Sequence, residues 1–143
     1  MAPTVFRTLL ALVALYALLR GRRDERAVGV ILVVGVIATH LVISPQNMRF
    51  ATLETAVMQV DVAVFAGFLW VALRSARFWP LWIAGLQLTT IFGHLLKAFD
   101  AQLFSWAYGA ALAAWGYPIL LILAIGTWRG QHRVRGQPEL AAA

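Results

Sequence analysis

The sequence predicts an all-α integral membrane protein, a bundle of five transmembrane helices with its N-terminus outside and its C-terminus in the cytoplasm. The first observation is composition: of 143 residues, 62% are hydrophobic and 13% charged, against about half and about a quarter in soluble domains. The second is five apolar segments, each near the length of about 20 residues that crosses a bilayer. The third is an uneven distribution of Lys and Arg between them. The chain is short enough for one domain.

The first two predicted spans cover about residues 3–19 and 27–43. In the first, the basic residues follow the apolar run instead of preceding it, which favours a retained helix over a cleaved signal peptide. The second is rich in Val and Ile, as a buried strand would be, but its length favours a helix.

The remaining spans are predicted at about residues 52–73, 79–98 and 104–128, joined by short connections. Residues 1–128 thus form a single transmembrane domain, and residues 129–143 form a short polar cytoplasmic tail. Ser44-Pro45 is a plausible stop for the second helix. Several tryptophans fall near the predicted ends, as in an interfacial aromatic belt.

The orientation follows from the positions of the basic residues. Cytoplasmic loops of membrane proteins carry an excess of Lys and Arg. Nine of the 12 fall on one predicted side, and the other side has three, Arg7, Arg49 and Lys97. The nine are Arg20, Arg22, Arg23, Arg26, Arg74, Arg77, Arg129, Arg133 and Arg135. An odd number of spans places all nine in the cytoplasm.

Several classes of function are disfavoured by the sequence. The chain has no cysteine, which excludes disulfide scaffolds, thiolate metal sites and cysteine nucleophiles. Its net charge of +6 comes without basic runs interleaved with aromatic residues, so a nucleic-acid partner is not expected. There is no catalytic triad, Gly-rich phosphate loop or kinase motif. The sequence therefore predicts a protein that is not an enzyme.

Polar side chains mark one face of the third and fourth spans. If a tight hairpin joins these spans near residue 76, residues at equal depth have numbers that sum to about 152. Glu54 is then level with Lys97, and Asp61 is level with Thr90. The predicted intramembrane cluster contains Glu54, Asp61, Gln87, Thr90, His94 and Lys97. Asp61 lies about 13 Å below the outer end of its span, given a rise of 1.5 Å per residue, close to the bilayer centre.

Four roles remain open for this cluster. In the structural role, Glu54 pairs with Lys97, and polar side chains of the fourth span hydrogen-bond to Asp61. In a second, Asp61 and His94 form a proton or ion path. In a third, His40 and His94, at similar depth on two spans, are axial ligands of haem b. In a fourth, both histidines bind a divalent metal with Glu54 and Asp61.

The function expected from the sequence is that of a small non-catalytic membrane protein, an accessory, assembly or structural subunit of a larger complex. The alternatives are a proton- or ion-coupled carrier that uses Asp61 and His94, and a haem protein. The expected partners are the lipid bilayer and other membrane subunits or further copies of the chain. No cofactor is predicted, although haem b or a divalent metal stays open. The expected location is the bacterial inner membrane.

Overall fold

The computed structural model describes the backbone of residues 2–43, 50–99 and 105–141, and the side chains of residues 4–43, 55–99 and 114–133. Within these ranges the chain forms five α-helices and no strand, so the predicted all-α class is confirmed. The helices are α1 (Ala2–Arg20), α2 (Arg23–Ile43), α3 (Phe50–Arg74), α4 (Trp79–Phe99) and α5 (Ser105–Ala141).

Two of the described helical segments, Arg23–Ile43 and Thr55–Arg74, are long and apolar enough to cross a membrane. The prediction of five spans is therefore supported for α2 and α3 only. In α4 the apolar residues are interrupted by the polar cluster, and α5 continues into polar residues beyond Trp128. For α1, α4 and α5, a transmembrane position stays a prediction.

The helices form a closed ring, because each packs against the next along the chain and α5 returns to α1. Consecutive helices are antiparallel. Gly67 of α3 lies against Ile31 of α2, and Gly126 of α5 lies against Trp79 of α4. α1 and α5 are parallel neighbours. The core includes the fully buried residues Ala17, Val28, Phe68, Ile83 and Leu123.

Side-chain contacts join the helix ends that carry most of the basic residues. The Ser75 hydroxyl donates to Asp24 Oδ2 at 2.6 Å, which links the α3–α4 turn to α2. The Gln131 amide donates to the Arg20 carbonyl oxygen at 3.4 Å, which links α5 to the end of α1. We call this side of the bundle the basic end. Its arginines are Arg20, Arg22, Arg23, Arg26, Arg74, Arg77, Arg129 and Arg133.

The last helix is longer than the predicted fifth span. The sequence places the end of that span at residue 128, but α5 continues without interruption to Ala141. A helix gains one hydrogen bond for each residue added, and Gln131 also fastens this part of α5 to α1: its Oε1 accepts from the Tyr16 hydroxyl at 3.4 Å. The first residues of the predicted polar tail are thus part of the bundle.

The outer surface of the bundle is strongly apolar. Only 17% of the apolar window of α2 and 11% of that of α3 is buried inside the protein. Large hydrophobic side chains are exposed on every helix, among them Leu12, Val34, Trp70, Phe92 and Leu121. The described interior, by contrast, holds buried Glu25, Gln87 and Thr127.

Candidate functional site

The structure brings together three members of the predicted polar cluster around Asp61. His94 Nε2 lies 2.8 Å from Asp61 Oδ2, a hydrogen bond between the imidazole and the carboxylate. The Gln87 side-chain amide donates to Asp61 Oδ1 at 3.0 Å. The side chains of His94 and Asp61 are 11% and 19% exposed, and Gln87 is buried. Both oxygens of the carboxylate are therefore engaged by α4.

Helix geometry explains why these side chains meet. Gln87 and His94 are seven residues apart, which is close to two turns, so they lie on the same face of α4. The antiparallel hairpin of α3 and α4 sets Asp61 at the depth between them. Thr90 lies on the same face, and its hydroxyl donates to the Leu86 carbonyl oxygen at 3.5 Å within α4.

Beside this cluster, a cavity of about 150 Å³ lies between the five helices. Asp61, Gln87 and Thr90 form part of its wall, and Thr39 of α2 adds a further hydroxyl. The other lining residues are apolar or glycine: Phe6, Leu10, Leu32, Gly35, Val36, Val64, Gly116, Ile119 and Leu120. Since a water molecule occupies about 30 Å³ of liquid, the cavity has room for a few waters or one hydrated small ion.

Thr39 was not among the predicted site residues, whereas its neighbour His40 was predicted as a possible haem or metal ligand. Thr39 is partly buried, lines the cavity and donates to the Gly35 carbonyl oxygen at 2.9 Å, whereas His40 is exposed. Successive helical residues are about 100° apart, so neighbours in sequence face different surroundings. Thr39 was nevertheless visible as one of few polar residues in the apolar second span.

Glu54 and Lys97 complete the predicted cluster. The side chain of Glu54 lies outside the described residues, so its pairing with Lys97 stays a prediction. Lys97 lies about one turn beyond His94 on α4 and is partly buried.

Haem or metal binding by His40 and His94 also stays a prediction, and the geometry does not favour it. His40 is exposed on α2, whereas His94 Nε2 is hydrogen-bonded to Asp61. Among the described side chains, no group of three or more His, Asp or Glu residues is placed to hold a metal ion. An absorption spectrum of the purified protein tests the haem hypothesis directly.

A second polar cluster, at the basic end, was not predicted. Glu25 is fully buried, and its Oε1 lies 2.5 Å from Arg77 Nη1. Its Oε2 accepts from the Arg22 backbone N–H at 2.9 Å, the contact that an acidic residue in the first turn makes in a capping box. The signal in the sequence was the acidic pair Asp24-Glu25 within a run of arginines.

No protein-family model, no curated protein and no solved structure matches this chain. The geometry around Asp61 is therefore the main basis for assigning a function. It combines a carboxylate and an imidazole in contact, an amide that orients the carboxylate, and two hydroxyls around a small cavity. Such a set can accept and release a proton, or offer several oxygen ligands to a small cation.

Proposed function

We propose that the chain is a multi-pass protein of the bacterial inner membrane, with all five helices in the bilayer and the basic end in the cytoplasm. The exposed apolar side chains of every helix support this placement, because an apolar surface is favourable in contact with lipid and unfavourable in contact with water. The gathering of arginines at one end supports the orientation, since basic residues are retained on the cytoplasmic side.

Within the membrane, the proposed function is reversible binding of a proton or a small cation at Asp61 and His94. The observation that carries it is the contact between these two side chains beside the central cavity. Placing a charged residue at the centre of a membrane helix costs at least about 2.5 kcal/mol. A contact that only joins α3 to α4 needs no ionisable group, because two amide side chains could form a hydrogen bond between the helices.

The surrounding residues have distinct parts in this proposal. Asp61 is the group that gains and loses the proton or contacts the cation. His94 exchanges a proton with it across the 2.8 Å contact. Gln87 holds one carboxylate oxygen in a fixed direction. Thr39 and Thr90, which line the cavity, provide hydroxyl oxygens that accept a hydrogen bond from water or coordinate a cation inside it.

Within this proposal, the chain acts as an ion-handling subunit of a larger assembly, or as a carrier in oligomeric form. Autonomous secondary transporters are usually built from internal repeats and discontinuous helices, and this sequence has no visible repeat. An ion-handling subunit combines the accessory role and the carrier role, both of which the sequence left open. A partner subunit or a second copy would complete the path between the cavity and the two membrane surfaces.

Proton flux into proteoliposomes tests the proposal. The wild-type protein is reconstituted with a pH-sensitive dye inside, and flux is started by an imposed K⁺ diffusion potential. Asp61→Asn should reduce the flux by about tenfold or more, because the amide cannot take up a proton but still accepts and donates hydrogen bonds. His94→Gln should also reduce it. Circular dichroism melting of both variants reports whether the bundle is intact.

Adjacent threonines on α4 provide a matched control. Thr90 lines the cavity and Thr89 is exposed, so Thr90→Ala should lower the flux while Thr89→Ala leaves it unchanged. If folded Asp61→Asn conducts as the wild type does, the ion-handling proposal is wrong and the cluster only joins α3 to α4. Proton handling is likewise contradicted if the wild type gives no proton flux above empty liposomes, either alone or with co-purified partners.

A further inference from the structure

A larger cavity of about 480 Å³ opens at the basic end, between the α3–α4 turn and α5. One side is basic, with Arg77 from the turn and Arg129 and Arg133 from α5. The other side is apolar and includes Phe78, Trp79 and Ile125. It is separate from the cavity at Asp61, with which it shares no lining residue.

The three arginines are not equivalent. Arg77 is paired with buried Glu25, which neutralises its charge and fixes the guanidinium at the cavity wall. Arg129 and Arg133 are exposed, and neither forms an ion pair with any side chain that the structure describes. They are four residues apart on one helix, a spacing at which like charges repel. An anion bound between them would relieve this repulsion and accept hydrogen bonds from both.

The apolar side of the cavity also packs closely against α5. Trp79 is the first residue of α4, so the positive end of that helix dipole lies at the cavity. A Cβ at Gly126 would lie 3.2 Å from the Trp79 indole, which means that only glycine lets the ring pack there undisturbed. The indole Nε1–H is buried and has no hydrogen-bond acceptor among the described residues.

The combination of charges and apolar side chains points to an amphiphile. Phe78 is 83% exposed and Ile125 is 45% exposed, so both offer apolar surface beside the arginines. A free phosphate would use the basic side alone, whereas a phospholipid would use both. We propose that this cavity binds an anionic phospholipid, its phosphate between Arg129 and Arg133 and an acyl chain along Phe78 and Ile125. The inference depends on the proposed membrane location but not on ion handling at Asp61.

Lipid binding is measured by native mass spectrometry of the full chain in neutral detergent, titrated with short-chain phosphatidylglycerol or phosphatidylcholine. The wild type should bind phosphatidylglycerol with a Kd about tenfold lower than that for phosphatidylcholine. Arg129→Gln combined with Arg133→Gln should remove this preference. These two positions are exposed and leave the Glu25–Arg77 pair intact, and circular dichroism melting verifies the fold.

The matched control is Arg23→Gln with Arg26→Gln, which removes the same charge from exposed positions at the same end but outside the cavity. This double variant should keep the preference. Equal loss in both double variants, or equal binding of the two lipids by the wild type, would overturn the proposal. Displacement of phosphatidylglycerol by millimolar inorganic phosphate would assign the site to a soluble phosphate instead. Asp61→Asn should retain the preference, which separates this test from that of the ion site.

Discussion

Glu25 makes two contacts that hold the basic end together. One oxygen pairs with Arg77, 52 residues further along the chain, and the other accepts the Arg22 N–H at the start of α2. Such a buried pair adds little net stability, because desolvation offsets the attraction. Removal of one partner is costly all the same, since it leaves the other charge partly buried and uncompensated.

We therefore expect Glu25→Ala to lower the free energy of unfolding by about 2–4 kcal/mol. Because the Arg77 side chain is 23% exposed, water can hydrate its guanidinium when Glu25 is removed. The loss of stability is therefore smaller than for a fully buried ion pair. Glu25→Gln keeps an acceptor for one of the two contacts and should cost less, about 1–2 kcal/mol. The measurement is denaturant or thermal unfolding in detergent. If the Gln variant unfolds as the wild type does, the charge of Glu25 has no role in stability; if Ala and Gln unfold alike and both below the wild type, the retained acceptor has none.

The two polar clusters differ in how far the sequence could predict them. Asp61, Gln87 and His94 were placed together because each lies in a regular helix, where spacing fixes the face and the hairpin fixes the depth. Glu25 lies at the junction of three elements, and no local periodicity relates it to Arg77. That Thr39 and not His40 lines the cavity could not be predicted, because the rotation of α2 about its axis depends on its packing.

Close approach of α2 and α3 depends on glycine. A Cβ added at Gly35 would lie 2.7 Å from Val64 Cγ2, nearer than any ordinary contact. Val64 is β-branched, so its side chain has few alternative rotamers in a helix. With α2 and α3 in lipid, as proposed, the hydrophobic effect does not favour their association, so close packing at small residues has to hold them together.

Gly35→Ala should thus lower the free energy of unfolding by about 1–3 kcal/mol, as overpacking does. Gly85→Ala is the matched control: nothing lies within 4 Å of an added Cβ on α4. It should be neutral or raise stability by up to about 1 kcal/mol, because alanine favours the helix. Both are measured by unfolding in detergent. Adding Val64→Ala to the Gly35→Ala variant should restore most of the lost stability. If it does not, the destabilisation by Gly35→Ala has a cause other than the contact with Val64.

The boundaries of the helices show where sequence-based reasoning ends. Apolar segments of about 20 residues indicated the positions of α1 to α4, since a segment that crosses a bilayer needs an internally hydrogen-bonded backbone. The end of α5 was not indicated, because hydropathy falls after Trp128 although the helix continues. Contacts of Gln131 with Tyr16 and Arg20, far away in sequence, keep this part of α5 against α1.

The whole bundle combines an apolar exterior with one strongly basic end. The ring closes through parallel packing of α1 and α5, so the start of α1 lies opposite the basic end, as does the end of α4. Two arrangements in a membrane are consistent with α2 and α3 as spans. With five spans, both of these distant ends lie on the outer side of the membrane. With α2 and α3 as the only spans, both ends stay on the cytoplasmic side, which requires α1, α4 and α5 to separate from the described bundle.

The chain has no cysteine, so single cysteines can report these positions without further changes. We expect Thr4→Cys and Phe99→Cys to react with a membrane-impermeant maleimide in intact spheroplasts. Both side chains are exposed, Phe99 at 89%. Arg23→Cys, at the basic end, should react only after the membrane is permeabilised. The basis is retention of basic segments in the cytoplasm. The measurement is the labelled fraction with and without detergent.

The pattern across the three positions separates the arrangements. If none of the three cysteines reacts with the maleimide in intact spheroplasts, only α2 and α3 remain as spans, and the five-span proposal is contradicted. If only Arg23→Cys is labelled in intact spheroplasts, a five-span bundle has the orientation opposite to the one proposed. Outside labelling at both Thr4 and Phe99 requires α1 and α4 to cross the bilayer. Asp61 and His94 would then lie within it, and their contact would need the partly polar surroundings that the cavity beside Asp61 provides.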